Sequence, residues 1–182
     1  MPNTQAAINI KLLVCDVDGT LTDGTIFYGD GGIESKGFSV KDGLGIRLAI
    51  DNGLDIVWLT GRSSTAVARR AQELGVVVAQ GEGNKDTGLR EIAVAHHLLL
   101  EEIAYIGDDL NDIPALTLAG LPMAVADSAP QVLDIAAYVT TTAGGRGAVR
   151  EAIEFILAAQ GRLEESATNF VNRLTLGDES GQ

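Results

Sequence analysis

Short apolar runs alternate with segments of helical periodicity along most of the chain. The predicted strands are 10–15, 54–59, 76–79, 103–106 and 123–125, with a short sixth at 138–140. The predicted helices are 43–52, 65–74, 86–97, 112–119 and 148–160. Because this alternation favours parallel strands joined by right-handed crossovers, the sequence predicts an α/β fold with a doubly wound, Rossmann-like parallel sheet. In such sheets ligands bind beyond the carboxyl ends of the strands.

One segment interrupts this alternation between the first predicted strand and the first predicted helix. Residues 25–40 contain a glycine-rich turn at 28–32 between apolar residues, which is typical of a β-hairpin. We expect the hairpin to project as a flap from the sheet edge where a ligand would bind. Residues 1–163 are predicted to form a single domain, and the polar residues 164–182 predict a flexible C-terminal tail.

The net charge restricts the classes of partner. A formal charge of −12 argues against nucleic-acid binding and against adsorption to anionic membranes, since both need basic surfaces. A small anionic molecule remains compatible with this charge if a metal ion and a few local cations reverse the field at one site.

Cysteine usage and the N-terminal residues indicate the compartment. The single cysteine, Cys15, excludes an internal disulfide and fits a reducing environment. It alternates to the opposite side of the strand from Asp16, so we expect it to be a small buried hydrophobe. Residues 1–9 have neither a basic start nor an apolar run, and no stretch predicts a membrane span. We therefore expect a cytoplasmic protein.

Two carboxylates directly follow the first predicted strand. Residues 16–20 read Asp-Val-Asp-Gly-Thr, so Asp16 and Asp18 can face one ligand where the chain leaves strand geometry. Gly19 allows the backbone to turn and approach that ligand closely. Burial of two acids is costly unless a cation or hydrogen bonds compensate. Taken alone, the motif leaves a solvated acidic turn as the alternative.

Three further polar groups occur at or just after strand ends. Residues 60–62 read Thr-Gly-Arg after the second predicted strand. Lys85 lies at a predicted helix start, where a cation opposes the helix dipole and so suggests an anionic ligand. Gly-Asp-Asp at 107–109 and then Asp112 follow the fourth strand. Taken alone, an exposed lysine and a helix-capping acid remain simple alternatives.

This ordered set resembles the haloacid dehalogenase phosphatase superfamily, whose motifs are Asp-x-Asp-x-Thr, a strand-end Thr, a Lys and Gly-Asp-Asp-x-x-Asp. The resemblance implies that Asp16 is a nucleophile that forms an aspartyl-phosphate and that Asp18 is the general acid and base. It also implies that Thr60, Gly61 and Lys85 bind the phosphoryl group.

The same resemblance implies a magnesium site. The ligands would be Asp16, the backbone carbonyl of Asp18 and Asp108, with waters that complete the coordination. Asp109 and Asp112 would then orient those waters or brace Lys85.

A narrower resemblance covers nearly the whole chain, from residue 11 to about residue 163. The matching runs are 23–24, 38–47, 125–127, 136–140 and 143–151. They are similar to the 3-deoxy-D-manno-octulosonate 8-phosphate phosphatase family. That resemblance implies an acidic sugar phosphate as substrate, a step in lipopolysaccharide precursor synthesis, and a hairpin flap without a large cap domain. It also implies a homotetramer in which the flap and a neighbour's C-terminal segment help to enclose each site.

A set of substrate contacts besides Asp18 follows from this resemblance as well. Its members are Ser39, Val40, Lys41, Asp42, Gly43, Arg47, Arg62, Arg70 and Arg146. Guanidinium groups suit both the carboxylate and the phosphate of an acidic sugar phosphate. Arg146 could equally cap a helix or bridge subunits, and Arg47 and Arg70 could equally be plain surface residues.

Other functions remain open at this point. Thr20 and Asn111 are typical of the wider superfamily, so a nonulosonate 9-phosphate phosphatase is the nearest alternative. A phospho-accepting signalling domain would place its aspartate at a middle strand with no acid two residues later, so Asp18 counts against it. A catalytically idle assembly domain would have little reason to keep repelling carboxylates.

Overall fold

The computed structural model describes residues 4–176. Its strands are β1 Leu12–Cys15, β2 Phe27–Tyr28, β3 Glu34–Ser35, β4 Asp55–Thr60, β5 Val77–Gln80, β6 Ile103–Gly107, β7 Leu121–Ala124 and β8 Tyr138–Val139. Its α-helices are α1 Thr4–Ala7, α2 Val40–Asp51, α3 Thr65–Leu74, α4 Lys85–His96, α5 Ile113–Leu118, α6 Pro130–Leu133, α7 Ala148–Ala159 and α8 Leu163–Leu176. Short 3-10 turns lie at Asp30–Gly32, Leu100–Glu102 and Leu110–Asp112.

Six of the strands form one parallel sheet in the order β5-β4-β1-β6-β7-β8. The strand order reverses beside β1, because the chain runs outward through β4 and β5 and then returns to β6 on the other side. This arrangement confirms the predicted doubly wound sheet. The reversal places the carboxyl end of β1 at the crevice where ligands bind in such folds.

Alternate residues of β1 pack into two hydrophobic cores, one on each face of the sheet. Leu13 and Cys15 belong to the core covered by α2, α3 and α7, whereas Leu12 and Val14 belong to the core covered by α4, α5 and α6. Cys15 is a free thiol with no exposed surface, and burial raises its pKa well above the ordinary value. It is therefore the buried hydrophobe that the strand alternation predicts.

The predicted flap is present as an antiparallel hairpin of β2 and β3, in which Phe27 pairs with Ser35. Gly31 and Gly32 make the turn with positive φ angles of 76° and 80°, as a tight hairpin turn requires. Phe27, Tyr28 and Ile33 are more than half exposed. The flap thus presents apolar side chains to its surroundings.

Helix α2 begins earlier than its apolar pattern predicts. Its first residue is Val40 rather than residue 43, because the Ser39 side chain accepts hydrogen bonds from the backbone N–H groups of Lys41 and Asp42. A serine at this position supplies two of the acceptors that the first helical turn lacks. Helix α3 has the predicted bounds.

The C-terminal segment contains helix α8, for which the sequence patterns predicted no helix. Leu163 and Phe170 pack against the core, Ser166 is buried, and Arg173 Nη2 donates to Asp51 Oδ2 of α2 at 2.7 Å. The sequence is largely polar here, so packing on α2 and α7 stabilises this helix more than its own periodicity does. The predicted tail tip at 177–182 lies outside the described residues.

No helix between residues 4 and 176 combines the length and the apolar character needed to cross a membrane.

Glu151 of α7 ties the loop after β8 to the core. It accepts hydrogen bonds from the backbone N–H groups of Thr141 at 2.7 Å and Thr142 at 3.1 Å, and from the Tyr138 hydroxyl at 3.3 Å. Burial works to raise the pKa of Glu151, but these hydrogen bonds outweigh it and lower the pKa. Such a group stabilises the fold above its unfolded-state pKa, and the contribution is lost as the pH falls through the lowered value.

We expect Glu151→Gln to lower the free energy of unfolding by about 1 kcal/mol at neutral pH. The difference from wild type should shrink below about pH 4.3, the ordinary glutamate pKa, because the wild-type carboxylate is then protonated. Urea unfolding at several pH values measures the loss of unfolding free energy and its dependence on pH. Glu154→Gln on the same helix is the control, since Glu154 forms an ion pair with the partly exposed Arg150 and accepts no backbone hydrogen bond among residues 4–176. A difference that stays constant with pH would contradict this interpretation.

Candidate active site

A buried ion pair lies at the carboxyl end of β1. Asp16 is 3% exposed, and Lys85 Nζ donates to its Oδ1 at 2.5 Å. Lys85 is the first residue of α4 and is 2% exposed, so two distant segments supply the opposite charges. Burial raises the pKa of Asp16 well above its ordinary value and the Asp112 carboxylate adds to this, while Lys85 opposes both.

Asp112 has no exposed surface and braces Lys85 from the other side. Its Oδ1 accepts from the Lys85 ammonium and from the Tyr105 hydroxyl at 2.6 Å. Its Oδ2 accepts from the backbone N–H groups of Asp108 at 2.9 Å and Asp109 at 3.3 Å. Burial works to lower the pKa of Lys85, but Asp16 and Asp112 outweigh it and raise the pKa. The ammonium is therefore charged.

The Tyr105 contact is one that the sequence did not predict. Tyr105 is a fully buried residue in the middle of β6, among apolar neighbours, and its pattern is that of an ordinary core residue. The one indication in the sequence is that the residue is a tyrosine and not a phenylalanine, because a buried hydroxyl needs a hydrogen-bond partner. That partner is Asp112.

Asp108 completes a group of carboxylates. One carboxylate oxygen each from Asp16, Asp108 and Asp112 lie within 4.8 Å of one another. Burial and the Asp112 charge raise the pKa of Asp108 to about 7. Gly19, with φ +102°, allows this approach, because a Cβ at Gly19 would lie 2.0 Å from Asp108 Oδ2.

This carboxylate group fits a divalent cation such as Mg²⁺. Crowded carboxylates repel one another, and hard cations of this kind prefer oxygen ligands. Asp112 already accepts four hydrogen bonds, so Asp16 and Asp108 are the acids best able to bind a metal ion. Asp109 instead accepts from the Leu110 N–H at 2.7 Å and caps the following turn.

The strand-end residues of β4 lie beside this group, because β4 pairs with β1. Thr60 is 2% exposed, and its Oγ1 accepts from the Arg62 N–H at 3.2 Å. A Cβ added at Gly61 would lie 3.6 Å from the Glu82 carbonyl oxygen, which is ordinary van der Waals contact. The Arg62 guanidinium is directed to the flap, where it donates to Glu34 Oε2 at 3.0 Å and to the Tyr28 hydroxyl.

The flap also reaches Asp18. The Lys36 ammonium contacts Asp18 Oδ1 and lies 3.4 Å from Glu34 Oε1. The sequence patterns did not single out Lys36, because a lysine in a polar hairpin is usually exposed. Its side chain nevertheless has no exposed surface.

Four of the predicted substrate contacts surround one hollow of about 400 Å³. They are Ser39, Val40, Lys41 and Arg146. Arg146 Nη2 lies 3.5 Å from Asp23 Oδ2, and Gly145 N donates to the Thr20 carbonyl at 2.9 Å. The hollow therefore adjoins the loop that carries Asp16 and Asp18.

The other five predicted contacts lie outside this hollow, and the partners of Arg62 on the flap are given above. Asp42 is 2% exposed and accepts from the Arg150 N–H of α7 at 2.9 Å. Gly43 makes room for Arg70, because a Cβ there would lie 2.4 Å from Arg70 Nη2. Arg47 of α2 donates to the Glu73 carbonyl of α3 at 3.3 Å. Arg70 donates to the Glu73 carboxylate at 3.2 Å within α3 itself.

Comparison with known proteins identifies the family. The model of the haloacid dehalogenase-like hydrolases matches residues 76–153. A 3-deoxy-D-manno-octulosonate 8-phosphate phosphatase of Yersinia pestis is 46% identical over 161 residues, which are 88% of this chain and 86% of the relative. The chain belongs to the 3-deoxy-D-manno-octulosonate 8-phosphate phosphatase family.

Solved structures of this family have the same fold. The enzyme of Moraxella catarrhalis, described in complex with a magnesium ion, a phosphate ion and KDO, is 42% identical with a TM-score of 0.89. The match covers 92% of this chain and 97% of that one. The cobalt-bound enzyme of Haemophilus influenzae is 39% identical with a TM-score of 0.85, and the match covers 87% and 94% of the two chains.

In this family member the glycine-rich loop at 143–147 packs against the loop that carries Asp16 and Asp18. Gly144 packs on the nucleophile loop so closely that a Cβ there would lie 1.7 Å from the Gly19 carbonyl oxygen. Its N–H donates to Asp127 Oδ1 at 2.9 Å. The position of Gly19 beside Asp108 thus depends on the absence of a side chain at Gly144.

We expect Gly144→Ala to lower the free energy of unfolding by about 2 kcal/mol, because backbone rather than a flexible side chain would have to move. Gly37→Ala is the matched control, since a Cβ at Gly37 meets no atom within 4 Å and its φ is not positive. Urea unfolding of both variants measures the difference. Equal stabilities of the two variants would rule out the steric argument.

Proposed function

We propose that this chain is a Mg²⁺-dependent phosphatase that hydrolyses 3-deoxy-D-manno-octulosonate 8-phosphate to the free sugar acid and phosphate, a step in lipopolysaccharide precursor synthesis. The observation that carries the proposal is the buried group of Asp16, Lys85, Asp108 and Asp112 at the carboxyl edge of the sheet. The family relationship supports the substrate, since relatives with 44% to 46% identity are named for it.

In the first step the Asp16 carboxylate attacks phosphorus. An oxygen–phosphorus bond forms to Asp16 while the bond from phosphorus to the sugar oxygen breaks, and Asp18 donates a proton to that oxygen. In the second step Asp18 takes a proton from a water molecule, whose oxygen attacks the aspartyl-phosphate and releases phosphate. Both steps are phosphoryl transfers, so positioning and charge stabilisation carry most of the catalysis.

Lys85 and Thr60 hold the transferred group. The Lys85 ammonium counteracts the burial of Asp16 and so favours the ionised nucleophile. It also lies where negative charge develops on the phosphoryl oxygens. Thr60 and Gly61 offer a hydroxyl and a backbone N–H at the end of the neighbouring strand. Asp112 keeps Lys85 in place through the contacts described above.

Magnesium would be held by Asp16, the Asp18 backbone carbonyl and Asp108, with Asp109 and Asp112 behind them. When bound, the ion supplies positive charge that offsets the charge of the phosphate. The oxygen donors and their crowding support this assignment. The magnesium ion described with the Moraxella catarrhalis enzyme supports it too.

The sugar end of the substrate would lie in the hollow beside the nucleophile loop. Ser39, Val40, Lys41 and Arg146 line it, and two of these side chains are cations that suit a carboxylate. Asp42 and Gly43 would act through the packing of α2 on α7 and α3. Arg47, Arg62 and Arg70 stay predictions as substrate contacts, because their guanidinium groups bind glutamates or backbone in the single chain.

The expected test is phosphate release from a panel of sugar phosphates, with Mg²⁺ or with a chelator. The wild type should prefer 3-deoxy-D-manno-octulosonate 8-phosphate and lose activity with the chelator. Asp16→Asn should lose at least about a thousandfold in kcat, because the nucleophile is gone. Asp134→Asn is the control, since Asp134 is an exposed acid outside the site.

Each failure of that panel has its own meaning. Preference for a nonulosonate 9-phosphate would change the identity of the proposed sugar substrate and leave the phosphatase assignment intact. Equal turnover of hexose phosphates would reject the substrate class. No phosphate release from any sugar phosphate in the presence of Mg²⁺ would reject the proposal that the chain is a phosphatase.

We also propose that the chain forms a cytoplasmic homotetramer through its flap. Phe27 and Tyr28 are 60% and 70% exposed and Ile33 is 66% exposed, which is unusual for three large apolar side chains on one short hairpin. Burial of these side chains against a neighbouring subunit would remove this apolar surface from water.

The double variant Phe27→Ser and Ile33→Ser should therefore dissociate into smaller species, because it removes apolar surface from the interface. Light scattering after size-exclusion chromatography measures the mass of wild type and variant. Val94→Ser is the control, since Val94 is 75% exposed on α4, away from the flap. A wild type that elutes as a monomer would refute the assembly.

A further inference from the structure

Lys36 occupies an unusual position for a lysine in a surface hairpin. It directly follows β3, yet its side chain has no exposed surface. Its ammonium contacts Asp18 Oδ1 and lies 3.4 Å from Glu34 Oε1. Burial of an ammonium costs hydration and rotamer freedom, so it persists only where carboxylates compensate. Here the compensating carboxylates come from two different segments.

These contacts continue into a chain of alternating charges. Glu34, which binds Lys36 through one oxygen, accepts from Arg62 Nη2 at 3.0 Å through the other. Arg62 follows β4, whereas Asp18 follows β1. The charge chain Asp18–Lys36–Glu34–Arg62 therefore ties the flap to two loops at the carboxyl edge of the sheet. Movement of the flap away from this edge would break the contact at Asp18.

The contact also decides which part of Asp18 is available. The Lys36 ammonium binds Oδ1, and no hydrogen bond to Oδ2 occurs within residues 4–176. A carboxylate with one oxygen held has a defined orientation, and the second oxygen is then the one directed at other partners. Proton transfer depends on such orientation, because the acid must lie within hydrogen-bond distance of the atom it protonates.

We propose that Lys36 is a positioning residue of the flap, which orients the Asp18 carboxylate for proton transfer and makes that step depend on the docked flap. The inference rests on the proposed function, in which Asp18 is the general acid and base. Lys36 acts through Asp18 and does not itself contact the reacting atoms.

The test compares two leaving groups in the variant Lys36→Met, which keeps the length of the side chain and removes the charge. The sugar phosphate leaves as an alkoxide that needs a proton from Asp18. Acetyl phosphate leaves as acetate, a weak base that needs none. We expect kcat for the sugar phosphate to fall about tenfold or more, with KM within about threefold of wild type. For acetyl phosphate we compare kcat/KM, which depends only on the steps up to the departure of acetate and not on the later attack of water, in which Asp18 serves both substrates. We expect this kcat/KM to fall by less than about threefold.

Lys11→Met is the matched control. Lys11 pairs with Glu102 at 2.5 Å, away from the flap, and its side chain is 62% exposed. The same substitution there should leave both rates close to wild type. Both substrates are assayed on one preparation, so a loss of folded protein lowers both rates equally and leaves their ratio unchanged.

Three outcomes would overturn the inference while the proposed function stands. Equal loss of kcat/KM for both substrates would make Lys36 a merely structural support of the site. A rise in KM for the sugar phosphate with kcat unchanged would make it a substrate ligand. Rates unchanged for both would give it no part in the reaction. By contrast, a wild type without Mg²⁺-dependent phosphate release would remove the proposed function and this inference together.

Discussion

The contact of the Lys85 ammonium with Asp16 and Asp112 holds the centre of this molecule together. Three groups with almost no exposed surface come from three segments, and each is tolerable only because the others are present. Loss of one partner from such a buried set leaves an uncompensated charge, which typically costs about 3–5 kcal/mol. The interaction therefore fixes α4 and the loop after β6 relative to the end of β1. It also gives the nucleophile candidate its charged neighbour.

Glycines at three positions around the site leave the space that this concentration of charged groups needs. A Cβ at Gly19 would collide with Asp108, and a Cβ at Gly107 would lie 2.4 Å from Asp112 Cγ. Gly144 packs against Gly19 from the far side of the same loop. The carboxylates are thus close together because three separate turns approach each other at backbone distance. The glycines that allow these turns are therefore also the residues that allow the charged groups to approach each other.

The flap adds a second set of charges outside the buried one. Lys36 and Arg62 alternate with Asp18 and Glu34, so ion pairs hold the hairpin to the sheet edge while Phe27 and Ile33 remain exposed. A hairpin of only two short strands has little stability of its own. Its place beside the site therefore depends on these contacts.

The sequence by itself determined the sheet, the flap and the acids at the strand ends. Those features depend on local periodicity, on turn residues and on the rule that parallel strands bring their carboxyl ends to one edge. Only the tertiary structure assigned Tyr105 to Asp112 and Lys36 to Asp18, and placed Arg47 and Arg70 on Glu73. Helix α8 was likewise missed, because packing rather than its own pattern stabilises it. Lys36 and Asp18, and likewise Arg47 and Glu73, come from different segments of the chain, and no local pattern states which charge will meet which partner.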